Sequence, residues 1–270
     1  MKRSILHIRD SGARMKLIVL QPRERQGLLP GILWIHGGGY MTGMAAMVYK
    51  SCGRALAERY GAVVISPGYR LSWRAPYPAA LRDCYAALEY LWDHAEELGV
   101  DRERILVGGE SAGGGLAAAV CLYARDQGKI RVAMQMPLYP MLDCEDTESS
   151  RDNHGRVWNT RKNHRGWRLY LRRLYGSDRV PPYASPARET DYRGLPPCYT
   201  YVCDGEPFYR ETLDYVQRLR AAGVPARVDV FPGNLHAFDL FRFWTKEAAE
   251  ARENRAAAFE TVVLRGKREL

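Results

Sequence analysis

The sequence lacks the features that mark extracellular, membrane-spanning and fibrous proteins. Its 270 residues include only six cysteines, and no two of them form a Cys-x-x-Cys pair, so we expect neither a disulfide framework nor a metal site. No stretch approaches the roughly 20 apolar residues of a membrane span. The first ten residues include Lys2, Arg3 and Arg9 and lack the apolar segment of a signal peptide. These absences predict a cytoplasmic protein without a membrane span.

Internal repeats and low-complexity linkers are also absent. Apolar residues make up 46% of the chain and charged residues 26%, which is an ordinary balance for a globular protein with a sizeable core. We therefore expect one domain over residues 1–270 rather than two smaller domains.

Excess positive charge is confined to one window of the chain. The net charge is +9, but residues 151–173 hold eight basic side chains against the single carboxylate of Asp152. The eight are Arg151, Arg156, Arg161, Lys162, Arg165, Arg168, Arg172 and Arg173. A local patch without a recognised nucleic-acid module indicates a solvated surface, so we expect no nucleic-acid partner.

Short apolar runs alternate with segments of helical periodicity. Most of the runs are continuously apolar, as in strands that helices cover on both faces of a parallel sheet. The predicted strands cover residues 15–20, 31–35, 62–67, 105–109, 132–138, 199–203 and 227–231. The predicted helices cover residues 78–99, 111–126, 207–223 and about 245–264. This alternation predicts an α/β domain with a mostly parallel central sheet flanked by helices.

One region interrupts the alternation. Residues 143–197 contain no long strand but include the basic window and a short amphipathic helix at about 165–175. We interpret this region as a helical cap insertion that packs over the sheet.

The first motif with a chemical meaning is Gly109-Glu110-Ser111-Ala112-Gly113. It follows the apolar run 105–109 and precedes a helix of small residues. A tight strand-to-helix turn of this kind exposes a serine hydroxyl at the carboxyl edge of a sheet, which is where a nucleophile is needed.

Three consecutive glycines form a second motif, His36-Gly37-Gly38-Gly39-Tyr40. Such a run loses backbone entropy on folding, and a loop that turns its N–H groups toward an oxyanion would account for it.

A nucleophilic serine requires a base, and the base requires an orienting acid. Of the six histidines, only His236 follows the serine and lies just beyond a predicted strand, at the edge where open α/β sheets place their sites. The acid should follow the run 199–203, where Asp204 and Glu206 both occur. Spacing alone does not separate these two carboxylates.

Together these motifs resemble the hormone-sensitive-lipase-like carboxylesterases of the α/β-hydrolase fold, from about residue 32 to the C-terminus. The resemblance rests on His36-Gly37-Gly38-Gly39, Tyr69-Arg70-Leu71, Pro76-Tyr77-Pro78-Ala79-Ala80, Gly109-Glu110-Ser111-Ala112-Gly113-Gly114, Ala222-Gly223-Val224-Pro225, Phe231-Pro232-Gly233 and His236.

The resemblance implies a role for each site residue. Ser111 would be the nucleophile and His236 the base, and the N–H groups of Gly38, Gly39 and Ala112 would form the oxyanion hole. The family frame around Glu206-Pro207-Phe208 puts Glu206 in the place of the acid, where many relatives carry aspartate; Asp204 stays as the alternative.

Two departures from the family pattern affect these expectations. Relatives continue Tyr-Arg-Leu with Ala-Pro-Glu, whereas Leu71 here precedes Ser72-Trp73-Arg74, so an ion pair from Arg70 to that glutamate must be replaced or absent. Relatives also often carry an N-terminal segment that covers the site. We therefore expect an open site roofed mainly by aromatic residues of the insertion. These are Trp158, Trp167 and Tyr170.

The expected activity is hydrolysis of small acyl esters, acetyl to butyryl, by a Ser-His-Glu triad without a cofactor or metal. An amidase or small peptidase would use the same triad, and a catalytically inactive ligand-binding relative is a further alternative, although such receptors have typically lost the histidine. The expected partner is a small-molecule ester, and the sequence leaves a homodimer open.

Overall fold

A single eight-stranded sheet organises the chain in the order β1-β2-β4-β3-β5-β6-β7-β8. The computed structural model describes residues 1–10, 13–24 and 26–267. The strands are β1 Lys2–Asp10, β2 Ala13–Gln21, β3 Leu29–Ile35, β4 Val63–Pro67, β5 Val100–Glu110, β6 Met134–Leu138, β7 Cys198–Cys203 and β8 Ala226–Phe231. The pairs β1–β2 and β2–β4 are antiparallel. The other six strands, β3 to β8, are parallel to one another.

Helices connect the parallel strands and cover both faces of the sheet. The helices of the described chain are α1 Cys52–Tyr60, α2 Ala79–Asp93, α3 Ala95–Leu98, α4 Ala112–Gln127, α5 Thr160–Leu171, α6 Tyr209–Ala221, α7 Phe238–Phe241 and α8 Lys246–Phe259. Two buried apolar clusters result, one on each side of the sheet. The expected mostly parallel sheet with flanking helices is confirmed.

Burial explains why the parallel strands are visible in the sequence. Every residue of β4, β6 and β7 is buried, which is what helices on both faces of a parallel sheet impose. The strand β1 was not among the predicted strands. It lies at the antiparallel edge, and its side chains alternate between exposed and half-buried, so it has no continuous apolar run.

The parallel arrangement determines where a site can form. The strands β3, β5, β7 and β8 all end at the same edge of the sheet. The segments that follow these four strands carry the predicted nucleophile, base, candidate acids and oxyanion donors. Open α/β sheets bind their ligands at this carboxyl edge.

The predicted insertion, residues 143–197, contains α5 and two short 3-10 turns, Arg172–Leu174 and Pro186–Arg188, and no strand in this fully described stretch. The helix α5 begins five residues before the predicted helix because the Asn159 side chain caps it by accepting the N–H of Lys162 at 3.1 Å. The division of the chain into a domain and a cap stays a prediction.

The helix α5 packs its apolar side on the sheet domain. Trp167 and Tyr170 are buried, and the Tyr170 ring stacks on Tyr40 with centroids 4.0 Å apart. The eight basic side chains of residues 151–173 are all exposed. Within the described ranges, no helix has the length and apolarity to cross a membrane.

Candidate active site

The serine of the Gly-x-Ser-x-Gly motif sits in a sharp turn between β5 and α4. Ser111 separates the last residue of β5 from the first of α4 and has φ 58° and ψ −122°, a strained conformation for a residue with a side chain. The glycines on either side are required by close packing on β3. A Cβ on Gly109 would lie 2.5 Å from the Ile35 carbonyl oxygen, and one on Gly113 would lie 2.5 Å from that of His36.

His236 lies within hydrogen-bond distance of the serine. It stands in the loop that follows β8, and its Nε2 is 2.9 Å from the Ser111 hydroxyl oxygen. The rings of Tyr139 and Phe208 meet the imidazole edge-on from centroid distances of 5.1 Å each. The structure therefore brings Ser111 and His236 together, and the two rings pack against the edge of the imidazole.

The two candidate acids occupy different environments. Glu206 is fully buried, and its Oε2 contacts Nδ1 of His236, while its Oε1 accepts the N–H of Cys203 at 2.9 Å. Asp204 is exposed and accepts the N–H of Gly233 at 2.9 Å. Asp204 therefore stabilises the loop that precedes His236 by a hydrogen bond, and Glu206 contacts the histidine itself.

The glycine motif forms a loop beside Ser111. A Cβ on Gly37 would lie 3.2 Å from the serine Cβ. The carbonyl of Gly38 accepts the N–H groups of Met41 and Thr42 at 3.0 Å each, and Gly38 and Gly39 have φ values of 115° and 59°. This conformation favours glycine and turns the backbone of the loop tightly.

The predicted oxyanion hole consists of three backbone N–H groups, those of Gly38, Gly39 and Ala112. Within the described residues, neither Gly38 N–H nor Gly39 N–H donates a hydrogen bond to the protein. Ala112 is the first residue of α4, so its N–H has no intrahelical acceptor. Backbone N–H groups without a protein acceptor are able to donate to a negative oxygen.

His36 shapes this loop and remains neutral. Burial lowers its pKa to about 4, so the imidazole is uncharged at neutral pH. Its Nδ1 lies 2.8 Å from the Gly37 carbonyl oxygen, and its ring stacks on Tyr69 with centroids 4.2 Å apart. Tyr69 in turn donates to the His36 carbonyl at 3.0 Å. An uncharged imidazole that is buried between Gly37 and Tyr69 suits the position before the glycines.

Arg70 finds a different partner from the glutamate of the family pattern. Its guanidinium contacts both carboxylate oxygens of Asp83, with Nη2 2.7 Å from Oδ1, and its backbone N–H donates to the same carboxylate at 2.8 Å. Asp83 is fully buried on α2. The departure at Ser72-Trp73-Arg74 is therefore compensated by a bidentate pair with Asp83.

The expected open site is instead closely covered. The relative exposures of Ser111 and His236 are 7% and 4%. Of the three aromatic residues expected to roof the site, Trp158 reaches Gly39, while Trp167 and Tyr170 lie against Tyr40. The contacts of each ring depend on the backbone path of the insertion. Sequence periodicity does not specify this path.

A buried polar network lies next to Ser111, and the sequence analysis did not predict it. Glu110 accepts the N–H of Cys52 at 3.2 Å, and the Cys52 thiol donates to Asp239 at 3.2 Å. Tyr201 donates to the same carboxylate at 2.7 Å, and Arg255 reaches it at 3.5 Å. The network connects the residue before Ser111 to the helix after His236.

Burial raises the pKa of Glu110 to about 7, with the negative charge of Asp239 adding to the shift. The sequence carries one signal of this network. Arg255 interrupts the alanine-rich helix α8 on its buried side, but nothing in the spacing identifies its partners.

A sequence profile of the α/β-hydrolase fold family matches residues 32–240. The esterase LipI of Mycobacterium tuberculosis is 31% identical over 243 residues, which cover 89% of this chain and 75% of that protein. The ethyl acetate hydrolase of Pseudomonas putida is 28% identical over 242 residues, or 88% of this chain and 76% of that protein.

Solved structures agree with this assignment. A bacterial heroin esterase superposes with a TM-score of 0.88 at 36% identity, over 99% of this chain and 85% of that one. The family match extends over the strands that carry Ser111, Glu206 and His236. The chain belongs to the α/β-hydrolase carboxylesterase family, a family of carboxylic ester hydrolases.

Proposed function

We propose that the protein is a serine carboxylesterase that hydrolyses small acyl esters, acetyl to butyryl, with Ser111 as nucleophile, His236 as general base and Glu206 as the orienting acid. One observation carries this proposal. Ser111, His236 and Glu206 form a continuous contact chain, with 2.9 Å between the serine oxygen and Nε2 and with Glu206 against Nδ1. This is the arrangement that transfers a proton from a hydroxyl to an imidazole.

The acylation step begins when the Ser111 oxygen attacks the acyl carbon and its proton passes to Nε2 of His236. The carbonyl electron pair moves onto oxygen, and the tetrahedral intermediate carries the negative charge. When this intermediate collapses, the bond to the alcohol oxygen breaks, and the alcohol leaves with the proton from His236. The carboxylate of Glu206 stabilises the imidazolium and keeps its Nδ1–H in place.

In the deacylation step water attacks the acyl-serine and gives its proton to His236. Collapse of the second intermediate releases the carboxylic acid and returns the proton to the Ser111 oxygen. The N–H groups of Gly38, Gly39 and Ala112 are the proposed donors to both oxyanions. Their lack of protein acceptors supports this role, because preorganised donors need no rearrangement when the charge develops.

Two observations support the preference for small esters. Only 7% of Ser111 is exposed, and the Trp158 ring lies against Gly39 in the neighbouring loop, which favours small groups on the substrate. A relative that is 28% identical is named for hydrolysis of ethyl acetate, which is an acetyl ester.

The test combines substitution with covalent labelling. Ser111→Ala should keep the fold and remove turnover of 4-nitrophenyl acetate, and an organophosphate should modify Ser111 in the wild type, as read by peptide mass spectrometry. Ser177→Ala is the matched control, because Ser177 lies in the insertion and donates to Leu174. Labelling at another serine, or full turnover by Ser111→Ala, would contradict the assignment.

A further inference from the structure

A buried carboxylate holds the segment that follows His236. Asp239 lies three residues after His236, in the short helix α7, and only 2% of its side chain is exposed. Its Oδ2 accepts the hydroxyl of Tyr201 at 2.7 Å and the thiol of Cys52 at 3.2 Å. The same oxygen lies 3.5 Å from Nη1 of Arg255. Side chains from β7, α1 and α8 therefore converge on this one carboxylate.

The backbone between His236 and Asp239 is constrained. Ala237 is buried and has φ 59° and ψ 40°, a left-handed conformation that is uncommon for a residue with a side chain. Its carbonyl accepts the N–H groups of Leu240 and Phe241 at 3.0 and 3.1 Å. Such a conformation persists where the surrounding contacts enforce it, and the contacts of Asp239 lie only two residues further along. A displacement of Asp239 would therefore be passed to His236 through one short turn.

Aromatic rings form a second connection between the carboxylate and the imidazole. The ring of Tyr201, whose hydroxyl donates to Asp239, meets the ring of Tyr139 edge-on with centroids 5.6 Å apart. The backbone N–H of Tyr139 also donates to the carbonyl of Tyr201 at 3.0 Å. The ring of Tyr139 in turn meets the imidazole of His236 edge-on at 5.1 Å. The position of Tyr201 therefore affects the packing of the imidazole as well as the position of Asp239.

A third connection leads to the turn that carries the serine. Glu110 directly precedes Ser111 and accepts the N–H of Cys52 at 3.2 Å, and the thiol of Cys52 donates to Asp239. Asp239 is thus linked to the segments of both the nucleophile and the base. These two groups must stay within hydrogen-bond distance for proton transfer, and the hydroxyl oxygen and Nε2 lie 2.9 Å apart.

Stability alone does not account for a carboxylate at this position. Within the part of the chain that the structure describes, Oδ1 of Asp239 has no hydrogen-bond partner, and a buried polar atom without a partner is unfavourable. Apolar residues can often replace both members of a buried ion pair without loss of stability. The contacts of Asp239 instead suit a role in fixing the relative positions of the segments that they join.

We propose that Asp239 is a positioning residue that keeps His236 aligned with Ser111. This inference rests on the proposed function. Among the described residues, Asp239 forms no hydrogen bond or ion pair with the triad, so it acts through the backbone after His236 and through Tyr201. A displacement of a catalytic group by about 1 Å can lower a rate about 10²-fold. Loss of these contacts should therefore lower kcat and leave KM unchanged, because alignment of the imidazole is needed for the reaction and not for substrate binding.

The first test removes one hydrogen bond to the carboxylate. Tyr201→Phe deletes the hydroxyl that donates to Asp239 at 2.7 Å and keeps the aromatic ring. Tyr215→Phe is the matched control, because Tyr215 on α6 is also buried and donates to Gln135 at 2.7 Å. Both variants should lose a similar amount of Tm, since each loses one buried hydrogen bond. Only Tyr201→Phe should lower kcat for 4-nitrophenyl acetate, by about 10-fold, because the remaining contacts still limit the displacement.

A second variant replaces the buried ion pair itself. Asp239→Leu combined with Arg255→Met removes both charges, a change that is often neutral for stability, and kcat should fall about 10²-fold. The proton NMR signal of the His236 Nδ1–H reports the contact with Glu206. This signal should shift or broaden in Tyr201→Phe and in the double variant, and it should be unchanged in Tyr215→Phe.

Rates are measured below the unfolding transition of each variant and divided by the fraction of sites that an organophosphate labels at completion. Wild-type kcat in Tyr201→Phe overturns the positioning role, and so does an equal loss of kcat in Tyr215→Phe. A rise in KM with kcat unchanged, or a fall in kcat without a change in the Nδ1–H signal, also overturns it. If the double variant does not fold, Tyr201→Phe decides the question. Retention of turnover by Ser111→Ala would instead overturn the proposed function.

Discussion

Glu110 should make the stability of the fold depend on pH. Its carboxyl group is buried directly before Ser111, accepts the N–H of Cys52 at 3.2 Å and has a pKa raised from 4.5 to about 7, chiefly by burial. Folding therefore favours the protonated acid. The contribution of this group to stability is fully present below its unfolded pKa of 4.5 and is lost as the pH rises through about 7.

The magnitude follows from the shift. A rise of the pKa from 4.5 to about 7 corresponds to about 3 kcal/mol, of which about 2–3 kcal/mol is lost between pH 5 and pH 8. Glu110→Gln removes the ionisation and leaves an amide oxygen that can accept the N–H of Cys52. The free energy of unfolding of the variant, relative to that of the wild type, should therefore be about 2–3 kcal/mol higher at pH 8 than at pH 5. For a protein of this size, that gain corresponds to roughly 5–10 °C in Tm.

Thermal melts of both proteins, followed by circular dichroism at pH 5 and pH 8, measure this difference. Glu103→Gln is the control, because Glu103 is 62% exposed and pairs with Arg131. Its substitution should change Tm by the same amount at pH 5 and at pH 8. A Glu110→Gln variant whose advantage over the wild type is the same at both pH values would refute the argument, since it would mean that Glu110 does not take up a proton on folding.

Four further predictions test other parts of the molecule. Glu206→Gln should lower kcat by about 10⁴-fold, the scale seen when a triad acid is neutralised, while Asp204→Asn should be mild; the reverse ranking would exchange the two carboxylates. With 4-nitrophenyl esters, turnover should peak between acetate and butyrate and fall by hexanoate to octanoate, and a maximum at decanoate would contradict the proposed preference for small acyl groups. Arg255→Met should cost about 3–5 kcal/mol in urea unfolding because it leaves the Asp239 carboxylate buried without its cation; a loss below 1 kcal/mol would count against this pairing. The exposed basic window 151–173 should act as a solvated surface, so rising salt should change kcat/KM equally for a carboxylate-bearing ester and a neutral one; a selective loss for the anionic ester that Arg165→Glu abolishes would show steering.

Much of the fold could be predicted because parallel strands are buried on both faces. Continuous apolar runs such as those of β4 and β7 stand out in the sequence for this reason. The edge strand β1 has no such run, since its exposed and half-buried residues alternate along the antiparallel pair with β2. Its pairing depends on the register with β2 and is invisible to a search for apolar segments.

The site also has residues that the sequence predicts and one that it leaves open. Ser111 could be predicted because a strand-to-helix turn needs small residues at fixed spacing around it, and His236 because it is the histidine that follows the serine and a strand. The choice between Glu206 and Asp204 could not be made from spacing, because both carboxylates follow β7 within three residues of its end. The folded loop directs the buried Glu206 toward His236 and leaves Asp204 to bind the Gly233 N–H.

The sequence by itself determined the buried parallel strands and the longer helices between them, the turn at Ser111 and the glycine loop at Gly38 and Gly39, because each depends on local backbone geometry and on the periodicity of burial. Only the tertiary structure decided which side chains meet from distant segments. The contact of Trp158 with Gly39 and that of Arg255 with Asp239 arise from the way the insertion and the last helix pack on the sheet. Packing of this kind depends on the shapes and contacts of many residues at once, and no short segment of sequence encodes it.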